Sequence, residues 1–296
     1  MDLPATNAIV YRADALTEGL SDRDLARLER LAPGCYTRVN TRALRPEQRH
    51  RLMSIGVATK SGTDCVLSHQ SAAAVLGLAM LGPDLRRVHF TSARVNGNVR
   101  GVRHLHAGQL SDDEITVVEG VAVTGIERTA VDLACASRFP AALTIMDSAL
   151  RTGASREWME QMCAGRQCRG IRVARRALEL ADGESANPGE SWSRAQMIGA
   201  KLPIPVLQRE LWVEGKQYFL DFDFDCLVNG EFDGEGKYLE HRRPGEDVAA
   251  AIIREKNREN AIRSTGRDVV RWDWDDLRGG HMIPRLTKAL TRARLL

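Results

Sequence analysis

The sequence predicts an α/β (α+β) protein in which helices and short strands alternate along most of the chain. Two observations support this class. Apolar residues recur at helical spacing between β-branched and aromatic runs, and the order after residue 189 is typical of a mixed sheet flanked by helices. The 296 residues are 43% hydrophobic and 27% charged, so the chain has the composition of a folded protein with room for more than one core.

The first sixty residues predict a mostly helical, winged-helix-like region that is compressed relative to a full winged helix. Helices are expected over residues 12–18 and 22–30, the second with Ser21 as its N-cap, and a strand over residues 35–39. The formal net charge of +3 is too small to indicate nucleic-acid binding by itself. The arginines of this region that would hold a DNA backbone are Arg38, Arg42 and Arg45.

The next part of the chain, residues 61–182, predicts a small mixed domain. A helix from about Pro46 precedes it. Within it, helices are expected over residues 69–77, 127–136 and 141–151, and strands over 88–91 and 117–124. An arginine-rich segment closes it, and the residues at helical spacing are Arg169, Arg172, Arg175 and Arg176. They form either one basic stripe along DNA phosphates or an ordinary solvated helix face.

Histidines and cysteines give little indication of a site. His104 and His106 have the strand spacing that would let both bind one metal ion, but no third ligand is apparent, so loop histidines are expected. The six cysteines lack CxxC pairing and are expected to be reduced and mostly buried. The N-terminus shows no signal peptide, and the longest apolar run, residues 72–81, is too short to span a bilayer. We therefore expect a cytoplasmic protein with no membrane contact.

A polar segment with Gly and Pro, residues 181–189, predicts a linker. The expected domains are therefore residues 1–60, 61–182 and 183–296. The elements expected in the last of these, besides two acidic strands, are helices 190–200 and 248–264, strands 208–213 and 268–272, and a terminal helix.

The acidic strands are the most informative feature of the chain. Asp221, Asp223 and Asp225 alternate with Phe222 and Phe224, so the three carboxylates share one strand face. A second acidic run follows at residues 231–235. Because gathered carboxylates repel one another, their density indicates a bound divalent cation, Mg²⁺ or Mn²⁺, more than a merely solvated face.

Two turns can join these strands. A turn at Asn229-Gly230 has the strongest local turn sequence but puts Asp221 and Glu231 on opposite faces. A turn at residues 225–227 instead sets Asp221 directly opposite Glu231, near enough to share an ion. We predict the second register, because the metal hypothesis requires it.

Metal-dependent phosphodiester cleavage needs two or three carboxylates and a nearby cation. The carboxylates available are Glu190, Asp221, Glu231 and Asp233, and the cation is Lys237 or Lys256. This set fits a nuclease of the PD-(D/E)xK type. The alternatives are a solvated face for Lys256 and its helix neighbours Arg258 and Arg263, and for Glu190 a surface pair with Arg194.

Several blocks of sequence add a resemblance. Residues 188–194, 202–208 and 230–238 look like the C-terminal domain of an actinobacterial family that is similar to the very-short-patch-repair endonucleases and has a PD-(D/E)xK-like fold. Residues 67–73 and 123–134 resemble AbiEi-type antitoxins. The resemblance implies that Glu190, Asp221 and Glu231 ligate the metal, with Asp233 beside them. Asp233 stands where such an enzyme has its lysine.

The expected function is that of a DNA-acting protein, in which an antitoxin-like DNA-binding region is fused to a Mg²⁺-dependent endonuclease domain. The rival is a non-enzymatic DNA-binding regulator or type IV antitoxin, whose nuclease-like fold serves as a scaffold. A third reading is an acidic surface for a basic partner without metal. DNA and a cognate toxin are the expected partners.

Overall fold

The computed structural model describes residues 8–61, 64–94, 96–234 and 248–296, and it confirms the α+β class. Within these residues the strands form three sheets of three, six and four strands. Helices pack beside each sheet, and apolar cores lie between the layers.

The first sheet contains β1 (Ile9–Tyr11), β2 (Glu29–Ala32) and β3 (Cys35–Thr37), in the order β1-β3-β2. Its helices are α1 (Arg12–Thr17), α2 (Asp22–Leu25) and the longer α3 (Pro46–Thr59). Ser21 caps α2 as expected, since its Oγ accepts a hydrogen bond from the backbone N–H of Asp24. The predicted helix 22–30 is too long, because the chain is already paired with β3 as a strand from Glu29.

The six-stranded sheet has the order β6-β7-β5-β4-β9-β8. Its strands are β4 (Val66–Leu67), β5 (Val88–Ser92), β6 (Asn98–Arg100), β7 (Arg103–Ala107), β8 (Ile115–Val118) and β9 (Val121–Thr124). The single strand predicted over 117–124 is instead part of the hairpin β8–β9. Glu119 and Gly120 turn the chain there with positive φ angles of 49° and 78°.

Five helices pack on and beside this sheet. They are α4 (His69–Leu76), α5 (Ile126–Ala136), α6 (Phe139–Arg151), α7 (Arg156–Ala164) and α8 (Ile171–Leu180). Helix α7 escaped the sequence analysis, although Ser155 marks its start by accepting a hydrogen bond from the backbone N–H of Trp158.

The acidic strands belong to the four-stranded sheet, whose order is β10-β11-β12-β13. Its strands are β10 (Val206–Val213), β11 (Lys216–Phe224), β12 (Val228–Asp233) and β13 (Asp268–Asp273). The helices of this region are α9 (Pro188–Gly199), α10 (Val248–Ser264), α11 (Trp274–Gly279) and α12 (Met282–Arg292). Strands β10, β11 and β12 pair antiparallel, whereas β13 joins β12 in parallel.

Helix α9 connects the two larger sheets. Its Ala195 lies in the core formed by the helices of the six-stranded sheet, and its Met197 lies in the core beneath the acidic strands. The predicted linker is shorter than expected, because Pro188 already starts this helix after the N-cap Asn187. The placement of α9 brings Glu190 in its first turn toward the acidic strands.

The structure bears on the expected lack of a membrane span and on the burial of the cysteines. In the part of the chain that the structure describes, no helix is both long and apolar enough to cross a membrane. All six cysteines are free thiols, but the expectation that they are mostly buried is wrong for Cys168 and Cys226, which are exposed.

Candidate functional site

The hairpin of β11 and β12 has the predicted turn. Phe222 pairs with Gly230 and Phe224 with Val228, so residues 225–227 form the turn. The pairing of the two strands ends at Phe222 and Gly230, so Asp221 and Glu231 are the next residues beyond the last pair, and Asp221 Oδ2 accepts a hydrogen bond from the backbone N–H of Phe232 at 2.9 Å. The side chain of Asp221 thus reaches across to the backbone of β12.

Gly230 is a glycine because of packing, and no turn forms at that position. A Cβ atom on Gly230 would lie 2.5 Å from the ring of Trp272 on β13, so only glycine allows this close approach. Asn229 and Gly230 are both paired within β12. The Asn-Gly sequence therefore resembles a turn motif without forming one.

Glu190 is a buried carboxylate at the start of α9, where it is 4% exposed. Its oxygens accept hydrogen bonds from the backbone N–H of Ala186 at 2.8 Å and from the side chains of Asn187 at 2.6 Å and Gln208 at 3.3 Å. The alternative of a surface pair with Arg194 is wrong. Arg194 is itself buried, and its guanidinium binds Asp147 instead.

Glu231 is held by an arginine. It is 1% exposed, and Arg258 on α10 contacts both of its oxygens, at 2.6 and 3.1 Å. Arg258 also donates to the backbone oxygen of Phe219 at 2.7 Å. The expectation of a solvated Arg258 is therefore wrong: its guanidinium supplies positive charge where the sequence predicts a metal ion.

The pKa of Arg258 reflects this placement. Burial alone would lower its pKa, but the charge and hydrogen bonds of Glu231, followed by the charges of Glu255 and Asp221, outweigh it and raise the pKa above the ordinary value. Arg258 therefore carries a full positive charge that all three carboxylates stabilise.

The neighbouring acids also have arginine partners. Arg271 on β13 donates to both oxygens of Asp233, at 2.8 and 2.7 Å, and to Glu255 at 2.8 Å. The hydrogen bond with Asp233 is the main reason that the pKa of Arg271 is raised. Asp223, 1% exposed, lies between Arg209 at 2.9 Å and Arg267 at 3.2 Å. Guanidinium groups thus offset the repulsion between these carboxylates.

The predicted metal ligands Glu190, Asp221 and Glu231 are not among the described residues that are grouped closely enough to hold an ion. In the part of the chain that the structure describes, the three-residue group that could hold a metal ion consists of histidines. Asp225 leaves the predicted shared face, because it lies exposed in the turn with a φ of 52°. Of the two candidate cations, Lys256 is exposed on α10 and Lys237 lies outside the described residues.

The arginines predicted to bind DNA fall into two groups. Arg38, Arg42 and Arg45 are exposed between β3 and α3. The second group is predicted to form one helical stripe. This prediction is wrong for Arg169, which precedes α8. Arg172, Arg175 and Arg176 do lie on α8.

Two arginines of α8 have contacts inside the protein. Arg175 donates to the backbone oxygen of Cys163 at 2.8 Å, and the guanidinium of Arg176 lies 4.6 Å from the centre of the Phe139 ring. Both side chains stabilise the packing of α8 against its neighbours. Neither contact tests binding to DNA.

A histidine cluster that the sequence analysis missed lies on the six-stranded sheet. His104 and His106 on β7 lie beside His89 on β5, because the two strands pair in parallel with His89 opposite His104. His89 Nδ1 and His106 Nε2 are 2.9 Å apart. The ring of His69 stacks on that of His106 at 3.8 Å between centroids. The expectation of isolated loop histidines is therefore wrong. The sequence signal for the third ligand was His89, which lies in the strand predicted over residues 88–91.

Burial keeps these rings neutral at pH 7. It lowers the pKa of His69 and of His89 to about 3, and that of His106 to about 4, with further lowering from the neighbouring histidines. A neutral imidazole carries one N–H donor and one nitrogen lone pair, which can accept a hydrogen bond or bind a metal ion.

A charged network lies next to the histidines. Arg128 on α5, 8% exposed, contacts Glu114 and Asp132, each at 2.8 Å. Arg166 contacts Asp132 from the other side, also at 2.8 Å. Strands β4 and β9 pair in parallel and bring the two antitoxin-like segments, residues 67–73 and 123–134, side by side. These segments therefore build one polar centre.

Comparison with known proteins relates this part of the chain to a family. Residues 64–182 match the AbiEi antitoxin C-terminal domain. Two uncharacterized proteins of Mycobacterium tuberculosis, MT2308 of strain CDC 1551 and Rv2248 of strain H37Rv, are each 33% identical over 185 residues, which cover 60% of this chain. The match spans 65% of each relative, just under two thirds of its length.

A solved structure is also similar over part of the fold. The crystal structure of the RV2827C protein from Mycobacterium tuberculosis shares 16% sequence identity, with 70% of this chain and 84% of that chain covered at a TM-score of 0.37.

Proposed function

We propose that this chain is an antitoxin-like regulator that acts by binding DNA and that pairs with a cognate toxin. The match of residues 64–182 to the AbiEi antitoxin C-terminal domain carries the proposal. The acidic sheet serves as a scaffold in this proposal, since Arg258 and Arg271 already neutralise Glu231 and Asp233.

DNA is expected to contact the exposed arginines Arg38, Arg42 and Arg45. Arg42 sits in a short turn whose start is capped by Asn40, and Arg45 directly precedes helix α3, so the backbone that carries both is ordered. Arginines that neutralise phosphates release counterions, and binding then weakens steeply with salt.

The test is fluorescence anisotropy of a random-sequence duplex at several salt concentrations. In the triple variant Arg38→Ala, Arg42→Ala, Arg45→Ala, we expect weaker binding and a loss of about 0.9 from the log–log salt slope for each phosphate contact removed. The matched control is Arg278→Ala, Arg285→Ala, Arg292→Ala, which also removes three exposed arginines, those paired with Asp275, Asp276 and Asp268. An unchanged affinity and slope in the triple variant would contradict the proposed DNA contacts.

Metal-dependent phosphodiester cleavage is the second candidate function. The turn at residues 225–227 favours it, because Asp221 and Glu231 are the next residues beyond the Phe222–Gly230 pair. Mg²⁺ or Mn²⁺ would then be held by Glu190, Asp221 and Glu231 and would supply an activated water. Lys256, or Lys237 outside the described residues, would support that water. This chemistry requires the ion to displace Arg258 from Glu231, at the cost of a buried bidentate pair.

Cleavage of supercoiled plasmid with Mg²⁺ or Mn²⁺ separates the two candidates. The regulator proposal expects no cutting by the native chain. The nuclease candidate expects cutting that Asp221→Asn and Glu231→Gln each abolish, and that Asp225→Asn leaves intact because Asp225 is exposed in the turn of the same hairpin. That second pattern would replace the scaffold role by an enzymatic one.

A further inference from the structure

We propose that His89, His104 and His106 form a binding site for a divalent transition-metal ion of the zinc type. The three rings lie on one face of the six-stranded sheet, inside the antitoxin-like region. The site is separate from the acidic strands, and the inference is independent of the proposed function.

The strand pairing brings the three ligands together. His104 and His106 are two residues apart on β7 and therefore share a face, and His89 is the registered neighbour of His104 on β5. One ligand nitrogen from each ring lies within 4.8 Å of the other two. Two imidazole nitrogens bound to one tetrahedral zinc are about 3.3 Å apart, and His89 Nδ1 and His106 Nε2 are already 2.9 Å apart.

The donor set defines the class of ion. Three imidazoles without a carboxylate suit Zn²⁺, Ni²⁺, Co²⁺ or Cu²⁺, whereas Mg²⁺ and Ca²⁺ prefer oxygen ligands. Three protein ligands also leave a fourth position for water, as in open zinc sites. His104 and His106 are both partly exposed, which provides a path by which an ion can enter.

The surroundings hold the ligands in place. Ser71 Oγ accepts a hydrogen bond from the backbone N–H of His89 at 2.9 Å and lies 2.9 Å from His50 Nε2. The stacked ring of His69 restricts rotation of His106. Supporting contacts of this kind orient the ligands of metal sites.

A buried hydroxyl points to a missing partner on the same sheet face. Thr91 lies two residues after His89 and is the registered neighbour of His106. Its side chain is 2% exposed, and within the described part of the chain its Oγ1 has no hydrogen-bond partner. A water bound at the open position of a metal ion would provide one, and this supports a ligand in the cluster.

The test uses the full-length, untagged chain after treatment with a chelator. Calorimetric titration with Zn²⁺ is expected to show one ion per chain, and Co²⁺ at the same site is expected to give the visible absorption of a tetrahedral complex. An excess of Mg²⁺ should leave Zn²⁺ binding unchanged, because imidazole ligands disfavour Mg²⁺.

His104→Ala and His106→Ala should each weaken Zn²⁺ binding by at least about tenfold. Mutating a residue that only hydrogen-bonds to a metal ligand already costs about tenfold or more in metal affinity. His104→Gln and His106→Gln, checked by circular dichroism, keep the side-chain volume and should show the same loss. His281→Ala is the matched control, because His281 is an exposed histidine next to helix α12, outside the six-stranded sheet. Absence of Zn²⁺ binding, or binding that persists in all the His104 and His106 variants, would overturn the proposal.

Discussion

Arg194→Met is expected to lower the free energy of unfolding by about 3–5 kcal/mol, which is a large part of the stability of a typical domain. Arg194 Nη1 lies 2.9 and 2.7 Å from the two oxygens of Asp147, which is fully buried, and Nη2 donates to the backbone oxygen of Leu180 at 2.6 Å. Burial raises the pKa of Asp147, and Arg194 opposes that rise. Without the arginine, the buried carboxylate loses its compensating charge.

Urea unfolding followed by circular dichroism measures this effect. The double variant Asp147→Leu with Arg194→Met should recover much of the loss, because apolar replacement of both partners of a buried pair is often nearly neutral. Arg285→Met, which removes an exposed arginine paired with Asp276, should change stability far less. A single Arg194→Met variant as stable as the native chain would show that the pair does not hold α9 to α6.

Acidification is expected to destabilise the chain through His50. Burial lowers the pKa of His50 to about 4 from an ordinary value of 6.5, and its side chain is 2% exposed. Between these two values the unfolded chain binds a proton that the folded chain does not. The contribution of His50 is therefore complete above pH 6.5 and is lost as the pH falls toward 4, by about 1.4 kcal/mol per pH unit.

The measurement compares the unfolding free energy of the native chain and of His50→Gln at several pH values from 7 to 4.5, with a chelator present. The other buried histidines contribute in the same direction in both proteins, so the difference between the two slopes isolates His50. We expect a shallower pH dependence in the variant. Parallel slopes would mean that His50 is protonated in the folded chain.

Local sequence was sufficient for the alternation of Asp221 and Phe222 and for the boundaries of most helices. These features depend on residues a few positions apart. The same reasoning failed at Asn229-Gly230, where the glycine exists to accommodate Trp272 on a strand about forty residues later in the sequence. It failed again at α7, whose cap at Ser155 is the same kind of local sequence feature that marked other helix starts.

The partners of the acidic side chains were beyond sequence reasoning. The carboxylates suggested a cation, and the register that brings Asp221 opposite Glu231 followed from the requirement that they share it. The groups that supply the charge are arginines from α10 and β13, with Arg258 27 residues from Glu231. The helical spacing of α10 predicts which of its residues share a face. It does not reveal that this face packs against the strand that carries Glu231.

By itself, the sequence determined the α+β class, the two acidic strands and most of the helices. Period-two and helical patterns report local hydrogen bonding, and these features depend on little else. Only the tertiary structure decided that Arg258 binds Glu231 and that His89 joins His104 and His106. Both contacts depend on which helices and strands become neighbours. Strands that are not consecutive in the chain lie side by side in these sheets, and their order is set by the packing of the whole chain.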